Sequence, residues 1–278
     1  MTGIAKTSKA RALGDALKEE RMRASLTQRE LASRIERDQS SLSRWEKGER
    51  APNDEDVKQY LTGTGTTGQR RDEILSMVKG ITAPSWLALT LPEQHVQMAA
   101  LLRFERQARR VTHVAPLLIP GVLQTSDYTR TLMESGDISA DEIETQIAVR
   151  VGRRELITRE APAMLRALLG EAALRQGNPK VLAKQLRYLV EMADYPNIEI
   201  RVVGFTAGWM EGMFALIETD DESPIAHVDV GDSSLFLHEP SDVDHYRRKA
   251  AVIEEMAMNP EESKGFMADI AREMEATR

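Results

Sequence analysis

Through the first eighty residues, apolar positions recur at helical spacing. Over residues 9–23, Ala12, Ala16, Leu17 and Met22 predict the buried side of a first helix, led in by Lys6, Lys9 and Arg11. Thr27 followed by Glu30 spells a capping box ahead of Leu31, Ala32 and Ile35. Glu36-Arg37-Asp38 then turns the chain. Asp38 suits the positive end of a next helix over 39–47, in which Leu42 and Trp45 point inward. Ala51-Pro52 and Asn53 or Asp54 open a further helix through Val57, Tyr60 and Leu61, and Ile74, Leu75 and Val78 mark a short one over 69–79.

From residue 92 the pattern predicts a long helix through Val96, Ala99, Ala100, Phe104 and Ala108, decorated by Arg103, Arg106, Arg109 and Arg110. Helices near 126–135 and 139–158 follow, the second carrying Arg150, Arg153 and Arg154. Residues 163–169 are apolar enough for a buried strand, Pro179 to Asp194 reads as a helix, and Ile198, Ile200 and Val202 alternate with Glu199 and Arg201. Strand, helix and strand over this length favour a parallel pair. Residues 214–219, 225–230 and 233–238 read as short antiparallel strands. Two helices close the chain, with Tyr246, Ala250 and Ile253, and then Phe266, Ile270 and Met274, facing inward. The expected fold is a mainly α N-terminal helix-turn-helix domain over 1–82 and an α/β C-terminal domain over 92–278, a mixed sheet with flanking helices. The boundary falls at Thr82-Ala83-Pro84-Ser85.

With Leu42 and Trp45 inward, Ser40, Ser43, Arg44 and Lys47 share the opposite face of the 39–47 helix, with Gln39 on its leading edge. That face holds only hydrogen-bonding groups and cations. An α-helix fits the major groove of double-stranded DNA, where Gln can bond adenine twice, Arg guanine twice, and Ser either bases or phosphate.

Composition sharpens this picture. Residues 1–50 hold 12 Lys+Arg against 8 Asp+Glu, a charge of +4, whereas the remaining 228 hold 25 against 36, a charge of −11. A basic head draws the phosphate backbone while an acidic body is repelled by it, which restricts the approach to one orientation. The chain has no cysteine, which excludes disulfides, thiol catalysis and cysteine zinc sites and fits a reducing cytoplasm. No apolar signal core appears near the N-terminus, and the longest apolar stretch, VAPLLIPGVL, is too short to cross a bilayer.

Other motifs weigh less. Gly63-x-Gly65-x-x-Gly68 spells a dinucleotide fingerprint but follows a predicted helix where the motif needs a strand, so it reads as a connection and no cofactor is expected. The arginines from 103 to 110 lack an aromatic platform and read as a solvated or interface face. His227 and Asp229 share a strand face, with His238 or His245 as a third metal ligand. Strand histidines beside an Asp are more often surface residues, no HExxH or GxSxG pattern supports catalysis, and neither a metal site nor an enzyme is expected. In the loop Gly204 to Met213, the side chains of Trp209, Met210 and Met213 suit a partner or ligand surface, or else cap the sheet.

Two resemblances add to this reading. Gln28, Leu31-Ala32, Ser43 and Glu46-x-Gly48 resemble the lambda-repressor-like helix-turn-helix regulators of the xenobiotic-response-element type. That resemblance implies that Gln28 holds a phosphate, that Gln39, Ser40 and Arg44 read bases, and that Ser41, Ser43 and Lys47 position the backbone. It also pairs Glu46 with Arg21. The chain departs from the pattern at Glu36, where relatives have Gly, and at Arg37, where they have an apolar residue. Further on, Leu102-x-x-Glu105-x-x-Ala108, the run Ile119 to Thr125 with Tyr128, Arg150-x-x-Arg153, Glu171 to Arg175 and Gln185-Leu186-x-x-Leu189 look like the actinobacterial WhiJ-type regulators. Arg154 stands where those relatives usually have Gln. This second resemblance implies an antitoxin-like transcriptional regulator with a small acidic partner protein encoded by an adjacent gene. The expectation is a cytoplasmic, nucleoid-associated, homodimeric repressor that binds operator DNA and no membrane; the alternative is an antitoxin-like protein that neutralises its partner and autoregulates its operon.

Overall fold

The computed structural model describes residues 7–83, 85–87, 91–134, 136, 139–220, 223–230 and 233–276; Lys6 and Pro84 lie outside them. In chain order the elements begin with α1 (Ser8–Arg23), α2 (Gln28–Arg34), α3 (Gln39–Glu46), α4 (Asp54–Thr64), α5 (Gly68–Ser76), β1 (Ser85–Leu87), α6 (Leu91–Gln107) and β2 (Ala108–Ala115). A 3₁₀ turn at Gly121–Leu123 leads to α7 (Ser126–Glu134), α8 (Ala140–Arg153), α9 (Glu155–Thr158), β3 (Met164–Gly170), α10 (Glu171–Arg175) and α11 (Pro179–Met192). The chain continues through β4 (Ile198–Val203), β5 (Phe214–Thr219), β6 (Ile225–Val230), β7 (Ser233–Leu237), α12 (Pro240–Met256) and α13 (Pro260–Ala276). These form two compact units, Met1–Leu101 with Val230–Glu239, and Leu102–Asp229 with Pro240–Arg278.

In the first unit, α1 to α5 close around Leu13, Leu17, Leu31, Leu42, Val57, Tyr60, Leu61 and Ile74, each fully buried. The hydrophobic periodicity marks this core correctly, with corrections at the helix edges. Met22 is 61% exposed in the last turn of α1, Ile35 is half-buried as the C-cap of α2, and Met77 takes the buried place beside half-buried Leu75 and Val78. Gly14, inside α1, is required by packing: a Cβ there would lie 2.5 Å from the Trp45 carbonyl oxygen and 2.7 Å from that of Glu46. No larger residue lets α1 approach the end of α3 so closely. Lys9 and Arg11 turn inward instead of forming a basic lead-in. The Lys9 ammonium donates to the Lys79 carbonyl at 2.7 Å and lies 5.7 Å from the centre of the Trp86 ring. Thr7 caps α1 and donates to the Ile81 carbonyl. β7 also belongs to this unit, pairing antiparallel with β1 so that Trp86 stacks on Phe236.

The second unit holds five strands in the order β6-β5-β2-β3-β4. β2, β3 and β4 are parallel to one another, β5 runs antiparallel to β2, and β6 antiparallel to β5. The parallel β3–β4 pair expected from the strand–helix–strand pattern is present, with Leu165 opposite Ile198 and Leu169 opposite Val202. One helix boundary is corrected: α6 stops at Gln107, and Ala108, Arg109 and Arg110 begin β2, the strand between β3 and β5. Arg109 and Arg110 accordingly answer Asp220 and Glu218. Helices flank the sheet. On α12, Tyr246 packs edge-on against Phe214 at 4.9 Å, and Glu254 accepts from Arg166 and Arg201. α13 packs on α11 and β4. Among the described residues no helix is long and apolar enough to cross a membrane.

Candidate nucleic-acid interface

The helix-turn-helix begins with a capping box: the Thr27 amide donates to Glu30 Oε2 at 2.8 Å, and the Glu30 amide donates to Thr27 Oγ1 at 3.2 Å. Leu31 and Ala32 bury the inner side of α2. The turn then passes through Glu36 at φ +53°, the left-handed conformation that glycine favours and an L side chain adopts at some cost. Two bonds hold it there. Arg37 donates its amide to the Ala32 carbonyl at 2.9 Å, and its guanidinium meets Asp56 of α4 at 2.9 Å. Arg37 thus works as a tether where an apolar residue was the expected pattern.

Asp38 caps α3. Its carboxylate accepts from the Ser41 amide at 2.8 Å and from the hydroxyls of Ser40 and Ser41 at 2.5 and 2.7 Å. Those bonds, the Ser40 hydroxyl first, hold its pKa well below the ordinary carboxylate value. Leu42 and Trp45 are buried, which leaves Gln39, Ser40, Arg44 and Lys47 exposed on the far side with Ser43 half-buried beside them. Ser41, expected to position the DNA backbone, is instead 7% exposed with its hydroxyl given to Asp38, so it completes the cap. Arg44 folds back along its helix, its Nε donating to the Ser40 carbonyl at 3.2 Å and its Nη2 to Ser40 Oγ at 2.9 Å.

Behind this face lies one buried carboxylate. Glu46 accepts Arg21 Nε at 2.7 Å and Nη2 at 2.8 Å, Gln28 Nε2 at 2.8 Å and the Tyr60 hydroxyl at 2.7 Å, which ties α1, α2, α3 and α4 together. Burial alone would raise the pKa of Glu46, but the donors from Arg21, Gln28 and Tyr60 outweigh it and hold the carboxyl low. The Arg21–Glu46 pair implied by the resemblance is therefore present. Sequence reasoning missed Tyr60 as a partner, although a buried tyrosine hydroxyl needs an acceptor, and that need was the available signal. One of Gln28's two amide hydrogens is committed to Glu46.

Other singled-out residues fall elsewhere. Gly65 ends α4 in a left-handed C-cap and Gly68 begins α5, so the glycine-rich stretch joins two helices. In the second unit, Trp209 is 92% exposed and Phe205 65% exposed, with Met210 and Met213 half-buried in the same loop. His227 Nδ1 lies 4.0 Å from Asp229, and the strand register sets His113 two strands away across Ala215. Over them Arg153 pairs bidentately with Glu105 at 2.6 and 2.8 Å. Burial, with the Arg153 cation beside them, pushes both His113 and His227 down to about 3, so they are neutral at physiological pH. His245 stands edge-on to Tyr246, while His238, in the first unit, turns Nδ1 to the amide of Ser8 at 3.4 Å. Among the described residues no three His, Cys, Asp or Glu side chains converge as metal ligands do.

Comparison with known proteins places two matches along the chain. A helix-turn-helix domain matches residues 12–74, and a domain of unknown function (DUF5753) matches residues 98–269. No curated protein matches it. Among solved structures, NucT from Helicobacter pylori is 12% identical with a TM-score of 0.34, covering 63% of this chain and 98% of that one. TrmBL2, described as an archaeal chromatin protein with a novel mode of DNA binding, is 13% identical with a TM-score of 0.32, covering 74% of this chain and 66% of that one.

Proposed function

This chain belongs to the DUF5753 family, and from that premise, with a helix-turn-helix domain ahead of the family domain, we propose that it is a sequence-specific transcriptional regulator. It acts as a homodimeric repressor in the cytoplasm, at the nucleoid. The observation that carries the reading is the two-sidedness of α3: Leu42 and Trp45 are sealed into the core while Gln39, Arg44 and Lys47 face solvent. Arg44 suits a guanine edge, Gln39 an adenine edge and Lys47 a phosphate. One recognition helix reads only a few base pairs, so useful selectivity needs two half-sites about one helical turn apart and hence two copies of the head. The second unit would supply the dimer contacts and sense a small partner protein. It is no enzyme in this reading.

The antitoxin-like reading is favoured by a different observation, the nearly full exposure of Trp209 in a loop that also presents Phe205. Aromatic and Met side chains dominate protein interfaces, and a partner seated there would be bound first, with DNA binding serving autoregulation.

Selection of duplexes from a random-sequence pool by the full chain tests the principal reading. A regulator of this kind enriches a motif with two-fold symmetry; a pool that stays random after repeated rounds rules it out.

A further inference from the structure

The Ser40 hydroxyl sits between an anion and a cation. It has a single hydrogen, and that hydrogen goes to Asp38 Oδ1 at 2.5 Å. Its oxygen accepts from Arg44 Nη2 at 2.9 Å, and the Ser40 carbonyl accepts from Arg44 Nε at 3.2 Å. Asp38 is fixed in turn, because it caps α3 through the Ser41 amide and hydroxyl. The Nε–Nη2 edge of the Arg44 guanidinium is therefore spent inside the helix. The edge that remains, Nη1 with the second hydrogen of Nη2, is the one that can place two parallel bonds on guanine O6 and N7.

We propose that Ser40 is a positioning residue: it reads no base, and with Asp38 it holds Arg44 so that the free guanidinium edge specifies one guanine in each half-site. The proposal rests on the DNA-binding reading above and sharpens it. Of the three side chains that the resemblance implies as base readers, Gln39 and Arg44 remain, and Ser40 acts through Arg44. A long arginine side chain loses conformational freedom when it docks, and fixing it beforehand reduces that loss. The donor that Ser40 would need to address a base is already engaged by a carboxylate that stays ionised across the physiological range.

The test is selection from random duplex DNA with the full chain and with Ser40→Ala, Ser40→Thr, Arg44→Ala and the Ser40→Ala/Arg44→Ala double variant. Ser40→Ala is expected to weaken guanine preference at the same position that Arg44→Ala abolishes, by roughly two- to tenfold, the worth of one hydrogen bond. Ser40→Thr keeps the hydroxyl and should keep the preference. The double variant should match Arg44→Ala alone, since the two residues act as one unit. Preference lost at a second base position in Ser40→Ala, unaltered preference in that variant, or failure of Ser40→Thr to retain it would each overturn the proposal while leaving DNA binding intact. A wild-type chain that enriches no motif removes the DNA-binding reading, and this proposal with it.

Discussion

Replacing Glu46 by Ala removes the single acceptor that joins four helices of the DNA-binding unit. The carboxylate side chain is 2% exposed and the Arg21 side chain 12% exposed, so a truncated partner leaves a guanidinium that water reaches poorly. Four donors converge on Glu46. Hydrogen bonds to a charged group contribute about 1.5–3 kcal/mol each, but they are not additive when they share one acceptor. Breaking a buried ion pair by removing one member costs about 3–5 kcal/mol, and we take that range as the expected loss. Against a typical domain stability of about 5–15 kcal/mol this is roughly a fifth at the least and the whole at the most. The assay should report the first unit alone, so hydrogen exchange of amides in α2 and α3, followed by mass spectrometry, is preferable to a melt of the whole chain. Glu46→Ala should raise exchange there by on the order of a hundredfold or more, using about 1.4 kcal/mol per factor of ten. Protection within about 1 kcal/mol of wild type would refute the reasoning, because it would mean the network is dispensable to the head. The sign with pH follows from the depressed carboxyl. Its contribution is complete above the unfolded value of 4.5 and is lost as pH falls through the lower folded value.

Four further outcomes follow. Arg44→Ala should cost about 1–3 kcal/mol at the cognate site and relax one base position, whereas Lys47→Ala should weaken all sequences alike and lower the salt slope by about one unit; titrations at several salt concentrations separate the two. Glu36→Gly should stabilise the head by about 0.5–1 kcal/mol, because relief of about 1–2 kcal/mol of left-handed strain exceeds the added chain entropy of glycine, and denaturant titration measures it. His113 and His227 are neutral when folded and protonate more readily when unfolded, so the second unit should be fully stable above about pH 6.5. It should then lose about 1.4 kcal/mol per pH unit for each histidine as pH falls toward their folded values of about 3; loss of that acid slope in a His113→Phe/His227→Phe variant checks it. A fragment of residues 1–82 should bind operator DNA more weakly than the full chain, since it lacks β1 and β7 as well as any second-unit dimer contacts; equal affinity in a direct titration would contradict this.

Much of the head was legible because its signals are local. Thr27 with Glu30, Asp38 before α3, and Leu42 with Trp45 each depend on neighbours within a few residues, and all three appear as read. Even the departure at Glu36 carried information, since its positive φ is what the missing glycine would have supplied. What could not be read depends on distant partners. Tyr60 joins Glu46 from another helix, and Ser41 looks like a surface serine until its hydroxyl is seen to bond Asp38. In the second unit β2 was hidden for a physical reason. The apolar spacing of α6 runs on through Ala108, and beyond the exposed Arg109 and Arg110 buried residues occur on both faces of the strand, which blurs its alternation. Val111, Val114 and even His113 are buried there. The β1–β7 pair was equally unreadable, because it joins segments about 150 residues apart.

The central claim is that the outer face of α3 reads the major groove from two copies of the chain. Methylation protection of guanine N7 on a selected duplex tests it most directly, because N7 lies in that groove and is the atom an arginine fork covers. The account predicts two protected patches about one helical turn apart, with one guanine in each patch becoming reactive again in Arg44→Ala. Bound DNA whose guanines all remain reactive, or whose protection survives Arg44→Ala unchanged, would contradict it.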